Sequence, residues 1–147
     1  MTLALVNLCA AGVMTGVIWF TQIVHYPLFA HIPVDCSPAY AIDNQRRTSY
    51  VVGLPMVTEG ICAVALFANP PGDMSRLLPT LSGLVLAVVL ASTISLQVPR
   101  HAELTTVTDS RAVHDIVSRL VRSNWIRTIG WTTRMLLAAV MVAIAAG

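Results

Sequence analysis

Four long stretches of the chain carry almost no charge, and short charged segments separate them. Leu3 to His25 and Leu77 to Val98 contain no Asp, Glu, Lys or Arg, Thr48 to Asn69 contains only Glu59, and Asn124 to Ala146 contains Arg127 and Arg134. A hydrocarbon core about 30 Å thick needs roughly 20 apolar residues per helix. The pattern therefore predicts four membrane-spanning helices, at about 3–26, 48–69, 77–98 and 124–146, within a single transmembrane domain 1–147. Pro70-Pro71-Gly72-Asp73 reads as a tight turn, which makes the second and third spans a hairpin. Between Asp109 and Ser123, Val113, Ile116, Val117, Leu120 and Val121 recur at helical spacing opposite Arg111, His114, Asp115, Arg119 and Arg122. This predicts a short amphipathic helix at the interface before the last span, with Thr106 and Asp109 as a capping box and Arg111, Asp115 and Arg119 as charge pairs. The fold class expected is an all-α, polytopic four-helix membrane bundle.

Composition narrows the class further. Of 147 residues 56% are hydrophobic and 11% charged, against about 45–50% and about 25% in soluble domains. A soluble monomer, a disordered chain and a disulfide scaffold are thereby excluded. A net charge of +2 is too small to argue for a nucleic-acid partner. The first span lacks a basic n-region and a clear small-residue cleavage site, so it reads as a helix of the mature protein rather than a signal peptide. Basic residues near span ends are retained on the cytoplasmic side. Arg46, Arg47, Arg100, Arg111, Arg119, Arg122 and Arg127 lie at one end of the predicted bundle and Arg76 at the other. The expected location is a bacterial cytoplasmic membrane, with both termini on the non-cytoplasmic side.

Polar residues inside apolar spans carry the functional information, because an ionised group at mid-bilayer costs about 2.5–3.5 kcal/mol on insertion scales. Glu59 lies 11 residues beyond Thr48 and Arg134 lies 10 beyond Asn124, or about 16 and about 15 Å at a rise of about 1.5 Å per residue. They are level, which predicts an ion pair across the bundle interior. It reads first as a pair fixing helix register and second as a proton-carrying or ligand-binding one.

Asn124, Arg127, Trp131 and Arg134 form one stripe on the fourth span. Trp19, Gln22, His25 and Tyr26 on the first span, and Ser92, Thr93, Ser95, Gln97 and then His101 on the third, approach the same leaflet. Their convergence predicts a polar chamber near the cytoplasmic interface. Taken singly, Trp and Tyr fit interfacial anchors and Arg127 fits a snorkelling side chain. The four histidines show no metal-ligand spacing; no metal is expected, with His25 and His101 as the alternative ligands for a metal, haem or chlorin. The cofactor stays unassigned.

Cys36 falls in a predicted cytoplasmic loop, while Cys9 and Cys62 share a depth at which either core packing or a disulfide is possible. Gly12 and Gly16 form a GxxxG that permits close helix approach. Pro27 and Pro55 should loosen their helices and free carbonyls for the chamber. No phosphate loop, nucleophile elbow or internal repeat is evident.

These residues also carry a resemblance. Gly12-x-x-x-Gly16 followed by Trp19, Gln22 and His25-Tyr26-Pro27-Leu28-Phe29, then Pro55-Met56-x-x-Glu59, then Asn124-Trp125-x-Arg127-Thr128 with Trp131 and Arg134, resembles a group of small bacterial four-helix membrane proteins without assigned function. That group tends to carry a histidine in the first loop, where this chain reads Asp43-Asn44-Gln45-Arg46. More distantly the chain is similar to the anthrone-oxygenase-like membrane family, which implies oxidation of a phenolic substrate.

Three functions follow as expectations. The first is binding of an apolar molecule with a polar head, such as a quinone, lipid or polyketide. Its expected contacts are Trp19, Gln22, His25, Tyr26, Glu59, Gln97, His101, Asn124, Arg127, Trp131 and Arg134. The second is an accessory subunit docking a membrane-complex partner through residues 109–123. The third is a cofactor-poor oxidoreductase in which His25 or Glu59 removes a proton from a phenol-like substrate.

Overall fold

The computed structural model covers Met1–Gly147 and contains four long helices and no strand. They are α1 (Thr2–Phe29), α2 (Ser37–Ala68), α3 (Leu77–Leu104) and α4 (Ser110–Ala146), each long and apolar enough to cross a membrane. The protein is an all-α four-helix bundle with the architecture of a multi-pass membrane protein. Its solvent preference is inverted relative to a soluble domain. Phe20, Leu54, Val64, Ile94 and Ile129 point outward, whereas Asn7, Gln22, Glu59, Gln97, Asn124 and Arg134 are buried. Hydrocarbon accepts the apolar exterior without cost, and the interior polar groups must then satisfy one another.

Helices α2 and α4 outrun the predicted spans. At about 1.5 Å per residue, the 32 residues of α2 and 37 of α4 reach about 48 and about 56 Å. The excess lies at the end away from the termini. There Val113, Ile116, Val117 and Leu120 of α4 form a second core with Tyr26 and Phe29 of α1, Ala41 of α2 and Leu104 of α3. The amphipathic stretch 109–123 is therefore not a separate interfacial helix: α4 runs unbroken through Ser123 and Asn124, where neither Pro nor Gly intervenes. Its apolar face is covered by the chain itself, and only the face of Arg111, His114, Asp115 and Arg122 remains exposed for a partner. Periodicity reveals an apolar stripe and leaves open what covers it.

Two local expectations change as well. Asp109 alone caps α4, its carboxylate accepting from the Ala112 N–H at 3.0 Å, while the Thr106 hydroxyl turns back to the Glu103 carbonyl. Arg119 pairs across the interface with Glu103 at 2.8 Å rather than with Asp115. The α2–α3 turn forms as expected, with Gly72 at φ +60°, a conformation that glycine adopts without strain.

Helices α1 and α3 share a device that single-residue patterns concealed. Each widens into one π turn, Thr21–His25 and Thr93–Gln97, two residues before Pro27 and Pro99. Proline lacks an N–H and crowds the carbonyl four residues back, so a wider turn relieves the clash. Thr21 and Thr93 each donate a hydroxyl hydrogen bond at 2.8 Å to a carbonyl one turn earlier, Val17 and Val89. Pro55, by contrast, lies inside α2 without ending it.

Close approach falls at Gly130 rather than at the GxxxG. A Cβ at Gly12 or Gly16 would meet nothing within 4 Å, whereas one at Gly130 would lie 2.2 Å from Val89 Cγ2 on α3. Gly130→Ala is expected to cost about 1–3 kcal/mol through overpacking, with much of the loss recovered in combination with Val89→Ala. Thermal or SDS unfolding in detergent measures both, and strictly additive losses would refute the contact. The three thiols are free: Cys9 and Cys36 are exposed and Cys62 is buried, so no disulfide joins Cys9 to Cys62.

Candidate functional site

All four helices converge on Arg134. Its Nε donates to Glu59 Oε1 at 2.9 Å, its Nη1 to the Ser82 carbonyl at 2.8 Å, and its Nη2 to Asn7 Oδ1 at 3.0 Å. Glu59 Oε2 accepts from Trp131 Nε1 at 2.8 Å. The two charged side chains are 1% and 0% exposed, and every direction of the guanidinium fork meets an acceptor. The level depths of Glu59 and Arg134 thus correspond to a direct ion pair. Asn7 and Ser82 were not singled out from sequence. Their signal was positional, since each lies five residues into its helix, at the same end of the bundle.

Trp131 closes the far side of this pair, packed with Met14, Ile18 and Val89. Two turns on, Asn124 Nδ2 donates to Gln22 Oε1 at 2.9 Å, and Gln22 Nε2 donates to the Val121 carbonyl at 3.2 Å. Asn124 Oδ1 then accepts from Arg127 Nη1 at 3.1 Å, and the Arg127 guanidinium lies 5.3 Å from the Trp131 ring centroid. Gln22 and Asn124 therefore brace Arg127. Trp19 turns outward, 41% exposed, with its Nε1 donating to Thr132 and its ring edge-on to Trp125.

Beyond Arg127 lies a half-open cavity of about 280 Å³. It takes in His25, Tyr26, Gln97, His101 and Arg127 of the expected site. Trp19, Gln22, Glu59, Asn124, Trp131 and Arg134 do not line it. Glu59 is thus off the cavity wall, and each of its carboxylate oxygens already accepts from an internal donor, Arg134 and Trp131. Asn44, Gln45, Thr48 and Ser49 complete the wall. Asn44 and Gln45 were missed because α2 was expected to start only at Thr48, whereas Thr48 and Ser49 lie inside the expected span and were not singled out there.

The wall has a direction. Along α1 the lining runs from Met14, Val17 and Ile18 through Thr21 to His25 and Tyr26; along antiparallel α2 it runs from Met56 and Val52 to Ser49 and Asn44. Both helices change from apolar to polar going toward the end opposite the termini. There Tyr26 Oη lies 2.9 Å from His101 Nε2 and 3.3 Å from Gln97 Oε1. Gln97 Nε2 donates to Ser123 Oγ at 2.9 Å, which turns its oxygen toward the phenol. His25 Nε2, His101 Nδ1 and Arg127 Nε are buried and bonded to nothing in the protein. The two imidazoles share this wall, but no group of three or more His, Cys, Asp or Glu side chains is placed to hold a metal ion. A second, apolar groove of about 430 Å³ between the other halves of α2 and α3, flanked by Gly60 and Gly83, carries no titratable group.

The class defined by fold and site is a multi-pass four-helix membrane protein with an amphipathic internal cavity. Comparison with protein-family models, curated proteins and solved structures found no match.

Proposed function

We propose that this protein binds an apolar molecule with a polar head in the cavity, head toward His25, Tyr26, His101 and Arg127 and tail toward Met14, Val17, Ile18, Val52 and Met56. The observation that carries this reading is the matched apolar-to-polar gradient on two antiparallel helices. A space with one dry half and one hydrogen-bonding half discriminates for molecules built the same way. Three buried polar atoms without partners at the polar half add to it, because such groups are costly unless a bound molecule meets them.

Seven arginines gather toward the polar end, against Arg76 at the other. By the retention of basic residues, that end faces the cytoplasm of a bacterial inner membrane and the termini face outward. The cavity then opens at the level where lipid headgroups meet water.

The test is chemical. Protein purified in mild detergent is extracted and its bound small molecules are identified by mass spectrometry beside Met56→Trp, which fills the apolar half. Wild type is expected to carry an amphiphile in near-stoichiometric amount, and the variant to lose most of it at unchanged melting temperature. An identical complement in both proteins would sink the proposal.

A further inference from the structure

Arg127 is a cation without a counter-ion. None of the seventeen residues lining the cavity is acidic, and the four ion pairs of the fold engage Arg46, Arg47, Arg119 and Arg134. Its polar neighbours within the protein are uncharged, the amide oxygen of Asn124, which accepts from Nη1, and the Tyr26 phenol beside it, and its Nε is buried and unbonded. That contrasts with Arg134, whose three nitrogens are all engaged. A buried guanidinium with a free N–H costs free energy until an acceptor reaches it, and its planar fork suits two oxygens of one acid group.

The apolar half supplies the second constraint. Met14, Val17, Ile18, Val52 and Met56 are aliphatic or thioether side chains, with no aromatic ring among them. Such a lining fits a flexible hydrocarbon chain, for which methionine is an adaptable neighbour, better than a flat ring that would be held by stacking. Unbonded His25 Nε2 and His101 Nδ1 beside the guanidinium offer the head further hydrogen bonds.

We infer that the ligand is an acyl-chain amphiphile whose head is an oxyanion, carboxylate or phosphate, seated on Arg127. This rests on the amphiphile reading above and narrows it, since a neutral head such as a quinone would leave the charge unmatched.

The full chain in nanodiscs of zwitterionic lipid is titrated with radiolabelled oleate, and unlabelled oleate, oleyl alcohol and dioleoyl phosphatidate are compared as competitors. Oleate is expected to displace label at least about tenfold better than the alcohol, the usual scale of a charge-assisted hydrogen bond. Arg127→Gln, at wild-type melting temperature, should abolish that preference. Competition by phosphatidate with the same Arg127 dependence assigns the head to a bilayer lipid; its failure beside effective oleate assigns it to a free acid, and either supports the oxyanion seat. Equal displacement by oleate and alcohol overturns the charge assignment and leaves the amphiphile cavity standing. Absence of saturable binding by any of the three overturns the cavity reading itself. Should Arg127→Gln fail to fold, the wild-type comparison of acid with alcohol decides alone.

Discussion

Arg134→Leu is expected to lower stability by about 3–5 kcal/mol, the scale on which removing one partner strands a buried charge. The loss has three parts: Glu59 keeps only Trp131 as a donor, while Asn7 Oδ1 and the Ser82 carbonyl lose theirs. Adding Glu59→Gln to Arg134→Leu should recover part of the stability, because a neutral amide is far cheaper to bury than an uncompensated carboxylate. Steady-state accumulation in the membrane and unfolding by SDS read both effects. No recovery in the double variant would mean that the penalty comes from Asn7, Ser82 and lost volume, and that the pair contributes little by itself.

Trp131→Ala should cost a similar amount, about 3–5 kcal/mol, for a large buried aromatic removed from the core, and it should also change accessibility. Trp131 is 0% exposed and shares one apolar cluster with Met14, Ile18, Val52 and Met56, all four of which line the cavity. Its indole is therefore the partition between the cavity and Glu59. With the indole gone, a hydrophobic carbodiimide diffusing from the cavity should reach the Glu59 carboxyl group, which in the wild type is sealed. Peptide mapping by mass spectrometry detects the adduct. Labelling of wild-type Glu59 at the same rate would show that the partition does not exist, whereas Trp131→Phe should keep the seal and lose only the hydrogen bond to Glu59.

Together the two variants separate the functions of the interior. Asn7, Glu59, Ser82 and Arg134 tie the helices together at the terminal side, where Ala4, Leu66, Met74, Ala138 and Met141 close the bundle. His25, Tyr26, His101 and Arg127 face a cavity at the other side. A polar residue of a membrane span can serve either purpose, and its type does not say which. Glu59 and Arg127 illustrate the difficulty. Both are charged residues within apolar spans, yet one is saturated by its neighbours and the other has an N–H to spare.

Four spans, their hairpin turn, the inward-facing polar stripe of α4 and the shared level of Glu59 and Arg134 were legible from residue order. They depend only on helical rise, bilayer thickness and the penalty for exposing polar groups to hydrocarbon, all of which act along a single helix. Tertiary structure decided what each stripe meets: that the stretch 109–123 folds onto Tyr26, Phe29, Ala41 and Leu104, that Gly130 rather than Gly12 or Gly16 lies against a neighbour, and that Trp19 looks outward. It also extended α2 back to Ser37 and so brought Asn44 and Gln45 to the cavity. The physical reason is that rotation about a helix axis, and the length a helix gains by packing beyond the bilayer, are set by contacts between segments distant in the chain.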